Sequence, residues 1–115
     1  MVASRTATIQ KLNDRFRMGD ASVPGTVVVT NGVQSLLSEE GESMEPLATV
    51  VGNFDDFTEE NDPYGEHDFG RFSFLSTDLF WKIDQYNATY DGGSEDPTDL
   101  SITCRVLTIM LTEEY

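Results

Sequence analysis

Residues 18–70 constrain the fold of this chain most, because they include twelve carboxylates and not one Lys or Arg. The net charge is +3 over residues 1–17, −12 over residues 18–70 and −5 over residues 71–115, which gives −14 for the chain. The acidic residues of the middle segment are Asp20, Glu39, Glu40, Glu42, Glu45, Asp55, Asp56, Glu59, Glu60, Asp62, Glu66 and Asp68. Clustered carboxylates are usually solvated or engaged in caps and turns, so we expect long acidic loops at one end or along one edge of the fold.

The composition is that of a globular protein and not of an acidic, solvating tail. The chain has 115 residues, 38% hydrophobic content, seven Phe, four Tyr and one Trp, which is enough apolar material for one core. We therefore predict a single domain over residues 1–115. Cys104 is the only cysteine, so no intramolecular disulfide can form, and this fits a reducing cytoplasm.

The sequence shows neither a secretory signal nor a membrane span. Residues 1–8 lack an apolar stretch, and the longest apolar run, Val27–Val29, is far shorter than the roughly twenty residues that a spanning helix needs. We expect a soluble, cytoplasmic protein. Its negative field would repel a bare nucleic acid or an anionic membrane surface, and would attract a partner that has a basic groove.

The first element is predicted to be an amphipathic helix over residues 4–18. Ile9, Leu12 and Phe16 recur at helical spacing and form an apolar stripe. Basic Arg15 and Arg17 fall in the last turn, where the helix dipole favours positive charge.

The next part of the chain is predicted to be mostly strand and loop. The β-branched residues of 26–30 favour a strand. Asn31-Gly32 is a hairpin signal, which predicts that a second strand begins at Val33. Residues 35–45 are polar and acidic and are expected to form an exposed loop. Residues 47–54 are predicted to be a strand, although a proline near their start leaves a short helix as the alternative.

The second half contains the clearest strands. Residues 54–68 and 87–100 are predicted to be acidic loops with turn chemistry. The alternating aromatic and aliphatic residues of 69–75 and 79–86 predict a hairpin, and residues 102–111 predict a closing, central strand. The fold class is therefore α+β, with the N-terminal amphipathic helix packed on an antiparallel sheet of four or five strands.

In the strands predicted at 79–86 and 102–111, alternate side chains point to opposite faces of the sheet. Leu79, Trp81 and Ile83 share one face of the first, and we expect them in the core. In the closing strand Ile102, Cys104 and Val106 alternate with Thr103 and Arg105, and Cys104 is predicted to be a core residue and not a metal ligand.

Residues 61–70 are the densest candidate for chemistry, since Asp62, Glu66 and Asp68 surround His67, the only histidine. A zinc or iron site normally needs two or more His or Cys ligands, and the Asp-x-Asp-x-Asp-Gly spacing of an acidic calcium loop is missing. We predict no metal and no cofactor. His67 is predicted to be structural, donating a hydrogen bond to a neighbouring carboxylate.

Signatures of catalysis are also missing. The sequence has no Gly-x-Ser-x-Gly elbow and no Gly-x-x-x-x-Gly-Lys phosphate loop. We predict no catalytic residue. The alternative is a small metal-dependent hydrolase centred on Asp62, Glu66, His67 and Asp68.

Four blocks of the sequence resemble a known family. They are NDPYGEHDFG at 61–70, FWKIDQY at 80–86, SEDP at 94–97 and RVLTIML at 105–111. With these blocks the chain resembles an uncharacterised bacterial domain family of small acidic proteins carried on plasmids and other mobile elements. The resemblance implies a mobile-element context, in which small acidic proteins often disarm host defences, and it implies no activity, cofactor or catalytic residue.

Charge and context together favour an inhibitory binding protein that presents carboxylates where a nucleic-acid-binding host protein expects phosphates. A CRISPR surveillance complex or a restriction enzyme is the expected type of partner. A non-catalytic acidic adaptor, whose charge serves only solubility, is another alternative. The predicted partner-binding residues are Glu39, Glu40, Glu42, Glu45, Asp55, Asp56, Glu59, Glu60, Asp62, Glu66 and Asp68.

Overall fold

The computed structural model describes residues 4–115 and has an α+β fold, as predicted. The helices are α1 (Arg5–Arg17), α2 (Asn31–Glu40) and α3 (Met44–Gly52), and a 3₁₀ helix follows at Thr112–Glu114. The strands are β1 (Gly25–Val29), β2 (Phe69–Phe74), β3 (Thr77–Asn87) and β4 (Thr103–Leu111). They form one sheet in the order β1-β4-β3-β2. The sheet is mixed and not wholly antiparallel, because β1 runs parallel to β4.

Helix α1 agrees with the prediction. Ser4 caps its start by accepting a hydrogen bond from the backbone N–H of Ala7 at 3.0 Å. The predicted stripe of Ile9, Leu12 and Phe16 is buried. Leu12 and Phe16 belong to the same hydrophobic cluster as the central strands, so α1 packs on the sheet.

The predicted hairpin at Asn31-Gly32 is wrong, because these residues begin α2. The side chain of Thr30 accepts from the backbone N–H of Val33 at 3.4 Å, which caps the helix. A carboxylate oxygen of Glu114 accepts from the N–H of Gly32 at 3.1 Å. Strand β1 pairs with β4, which is distant in sequence, so no hairpin partner is needed after Thr30.

The loop predicted at 35–45 and the strand predicted at 47–54 are also wrong. Helix α2 continues to Glu40, Gly41 ends it with a left-handed φ of 65°, and α3 follows from Met44. In α3 the buried residues are Leu47 and Val51, which are one helical turn apart. This spacing buries one face of a helix, and it outweighs the strand preference of the β-branched residues between them.

The core lies between the three helices and one face of the sheet. Leu79, Trp81 and Ile83 of β3 are buried there, as predicted. In β4, however, the buried face carries Thr103 and Arg105, and it continues into Leu107 and Ile109.

The prediction that Cys104 belongs to the core is therefore wrong. Cys104 and Val106 are only half-buried and lie on the opposite face of the sheet, while Ile102, just before β4, is exposed. The register explains the result, because Leu107 pairs with Ile83 and directly opposed residues share a face. Within residues 4–115, the structure contains no helix that is both long and apolar enough to cross a bilayer.

Candidate functional site

Eight of the eleven predicted partner-binding carboxylates are exposed, and they fall into two groups at the two ends of α3. The first, here called the corner group, surrounds the connection between α2 and α3. It consists of Glu39, Glu40, Glu42 and Glu45. The second, here called the loop group, lies on the irregular segment that follows α3. It consists of Asp55, Asp56, Glu59 and Glu60.

None of these eight carboxylates takes part in an ion pair within the described part of the chain. Five of the seven Lys and Arg side chains are paired with other acids. Their ion pairs are Arg5–Asp96, Arg15–Asp20, Arg17–Asp14, Arg71–Asp78 and Lys82–Asp84. Within residues 4–115, no basic side chain therefore neutralises a carboxylate of the corner group or the loop group.

The other three predicted residues have different surroundings. Asp62 is buried, and one of its carboxylate oxygens accepts a hydrogen bond from the backbone N–H of His67 at 3.1 Å. Because Asp62 is buried, it is not one of the exposed carboxylates that a partner could contact. Glu66 and Asp68 are half-buried. Partial burial raises the pKa of both carboxyl groups, and the negative charge of neighbouring acids raises it further.

His67 lies in the position expected of a structural histidine. Its Nδ1 is 2.8 Å from a carboxylate oxygen of Asp14, and its Nε2 is 3.6 Å from one of Asp62. The imidazole stacks on the ring of Phe57 with centroids 3.6 Å apart and planes 4° apart. Among residues 4–115 no three His, Cys, Asp or Glu side chains are arranged to hold a metal ion.

Arg17 lies in the last turn of α1, as predicted, but its contacts were not predicted from the sequence. Its guanidinium is buried and donates to the carbonyl oxygens of Val51 and Phe54, both at 3.2 Å. It also lies over the rings of Phe57 and Trp81, 5.3 and 5.2 Å from their centroids. Arg17 thus fastens the end of α3 and the start of the loop group to α1. Burial lowers the pKa of the guanidinium, and the charge of Asp14 opposes this.

Arg105 and Asn13 form a second buried polar contact that the sequence did not reveal. Arg105 Nε donates to Asn13 Oδ1 at 2.7 Å, and Nη2 donates to the carbonyl oxygen of Pro97 at 2.9 Å. Asn13 Nδ2 donates to the carbonyl oxygen of Glu66 at 2.9 Å. Burial without a carboxylate partner lowers the pKa of Arg105 to about 10. The only sequence signal was an Arg in the alternation of β4.

Comparison with known proteins identifies the family and no activity. A family model described as "Protein of unknown function (DUF3768)" matches residues 29–114. The chain belongs to this family. The prediction that the chain belongs to an uncharacterised domain family is therefore confirmed. The DUF3768 match begins at the end of β1, so α1, which supplies Arg17 and Asn13, precedes it. No curated protein and no solved structure matches the chain.

The half-buried Asp68 leads to a pH-dependent prediction. Its pKa in the folded protein is above the ordinary value of 3.8, so ionised Asp68 disfavours the fold at neutral pH. We expect Asp68→Asn to raise the melting temperature at pH 7. The gain should shrink as the pH falls and disappear below about 3.8, where the carboxyl is protonated in both the folded and the unfolded state.

A second Asp→Asn substitution provides a control of opposite sign. Hydrogen bonds from Arg71 and Ser73 lower the pKa of Asp78, so Asp78→Asn should lower the melting temperature at pH 7. Thermal scans of both variants between pH 7 and about pH 3.5 test the pair. A lower melting temperature of Asp68→Asn at pH 7 would contradict the role of burial.

Proposed function

We propose that this protein is a non-catalytic inhibitor, encoded on a mobile element, that occupies the nucleic-acid-binding groove of a host defence protein. It presents carboxylates where that groove normally binds phosphates. The partner is a CRISPR surveillance complex or a restriction enzyme, and the encounter takes place in the cytoplasm. The observation that carries the proposal is the set of eight exposed carboxylates with no ion-pair partner in residues 4–115.

Unpaired carboxylates suit this function for an electrostatic reason. A carboxylate that already has a cationic neighbour contributes little to the field at a distance, whereas an unpaired one contributes its full charge. The summed field of the corner and loop groups would raise the association rate with a basic groove and disfavour acidic partners.

The number of charges is also of the right order for a nucleic-acid mimic. Duplex DNA carries about eight charges over roughly 14 Å of its axis, or about four base pairs. The eight exposed carboxylates of the two groups equal that number of phosphates.

The test is competition with DNA for the same partner. The immobilised protein is used to capture proteins from a bacterial lysate at about 50 mM salt, and each captured DNA-binding protein is purified. We expect duplex DNA and this protein to bind that partner mutually exclusively. We also expect the affinity to fall at least about tenfold between 50 and 200 mM salt, because ionic contacts are screened.

Two outcomes would overturn the proposal. One is a stable ternary complex of partner, DNA and this protein, since a mimic and the nucleic acid cannot occupy one groove together. The other is an affinity that does not change with salt. The protein alone, mixed with duplex DNA, serves as the control and should not bind it.

A further inference from the structure

A pocket of about 320 Å³ lies beside the loop group, where the acidic loop meets β2 and β3. Its volume is at the lower end of the range for ligand sites, which suits a single side chain better than a large cofactor. The walls combine aromatic rings with carboxylates. The aromatic and acidic residues of the wall are Glu60, Tyr64, Asp68, Phe69, Asp84 and Tyr115.

The aromatic part of the wall is exposed and partly fixed in position. Tyr64 and Tyr115 are each 77% exposed, which is unusual for such large side chains. The ring of Tyr115 packs edge-on against Phe69 and Phe80, with centroids 5.6 and 5.4 Å apart. Exposed aromatic rings at the rim of an acidic pocket are suited to a planar cation, which gains both stacking and cation–π attraction.

The carboxylates give the pocket a net negative charge. Asp84 already pairs with Lys82, whose Nζ is 3.1 Å away. Lys82 also lines the pocket, so it neutralises one carboxylate there. Asp68 and Glu60 have no ion-pair partner within residues 4–115. Burial and the nearby charges of Asp62 and Asp84 raise the pKa of Asp68. A bound cation would favour the ionised carboxylate and so oppose both effects.

We propose that this pocket binds the guanidinium of an arginine side chain from the basic groove of the partner. The inference rests on the proposed function and names the group that the partner inserts. Asp68 accepts hydrogen bonds from the guanidinium and Tyr64 stacks on its plane. Arginine is favoured over lysine because the flat, delocalised cation can stack on a ring and pair with a carboxylate in two parallel hydrogen bonds.

The pocket can be tested without the partner, by NMR titration with short blocked peptides. The peptides are Gly-Arg-Gly, Gly-Lys-Gly and Gly-citrulline-Gly, of which the last has the shape of the arginine peptide without its charge. We expect the arginine peptide to cause saturable shifts at the amides of Tyr64, Asp68 and Asp84. The lysine peptide should bind several-fold more weakly, and the citrulline peptide should cause no saturable shift.

Three variants locate the binding. Asp68→Asn and Tyr64→Ala should each lower the affinity for the arginine peptide at least about fivefold, since each substitution removes one of the two contacts of the guanidinium. Glu95→Gln removes one exposed carboxylate outside this pocket and should leave the affinity unchanged. Equal binding of the arginine and citrulline peptides would overturn the proposal. So would an equal loss in Glu95→Gln and Asp68→Asn, which would indicate a non-specific field.

The result is separable from the test of the proposed function. If the arginine peptide does not bind but DNA still competes with this protein for its partner, the pocket proposal fails and the mimicry stands. If the peptide binds in the pocket and DNA does not compete, the arginine site stands and phosphate mimicry fails.

Discussion

Arg17→Met is expected to lower the free energy of unfolding by about 3 kcal/mol, or the melting temperature by roughly 10 °C. Methionine keeps the apolar stem but removes the donors that serve the carbonyl oxygens of Val51 and Phe54. Each carbonyl deprived of a buried donor costs about 1–3 kcal/mol. The contacts of the guanidinium with Phe57 and Trp81 are lost as well. Urea unfolding followed by tryptophan fluorescence measures the change, since Trp81 is the only tryptophan.

The matched control is Arg15→Met, two residues earlier on the same helix. It removes the same charge, but Arg15 is exposed and its partner Asp20 is partly exposed. Exposed ion pairs contribute at most about 1 kcal/mol, so this variant should stay within that limit. If the two variants lose equal stability, the loss comes from net charge or helix propensity, and the fastening of α3 to α1 by Arg17 is refuted.

The sequence predicted well those elements whose pattern is local. In β3 the alternation of Leu79, Trp81 and Ile83 matches their burial, and the apolar stripe of α1 matches its packed face. In both elements one side faces the core and the other faces water, so the period of the pattern is enough to identify the element.

The wrong hairpin at Asn31-Gly32 depends on contacts between residues far apart in the chain. Asn31-Gly32 is a hairpin signal only if the strand before it pairs with the strand after it, and Val29 instead pairs with Ile109. Once β1 is paired with β4, Thr30 is free to cap a helix. The burial of Arg105 is of the same kind, because its acceptor Asn13 lies 92 residues away on α1.

The negative charge of the candidate site could be predicted from the sequence. Which of its carboxylates are exposed and which are buried could not. Clustering of acids correctly indicated exposed carboxylates for the corner and loop groups. The burial of Asp62 was not visible in the sequence. Asp62 is hydrogen-bonded to His67, and His67 in turn contacts Asp14 of α1, which is 53 residues away in the chain. The pocket of Tyr64 and Asp68 was equally invisible, because β3 and the end of the chain form its other walls.

Reversal of four carboxylates is expected to have the largest effect on binding. Changing Glu39, Glu40, Glu59 and Glu60 to Lys removes two charges from each exposed group and replaces them with repulsive ones. We expect the affinity for the DNA-binding partner to fall at least about a hundredfold at 50 mM salt, since several ionic contacts become unfavourable together. Stability should change by less than about 1 kcal/mol, because all four side chains are exposed and have no ion-pair partner within residues 4–115.

The control must separate the position of the charges from their number. Glu39→Lys/Glu40→Lys and Glu95→Lys/Glu113→Lys each change the net charge from −14 to −10. Glu95 and Glu113 are also exposed but belong to neither group. Surface-specific mimicry predicts a large loss of affinity in the first variant and a several-fold loss at most in the second, because the long-range field changes equally in both. Binding constants and salt dependence for both variants, with circular dichroism to verify the fold, decide the matter. Equal losses in the two would mean that only the total charge attracts the partner, and the corner group would have no specific role.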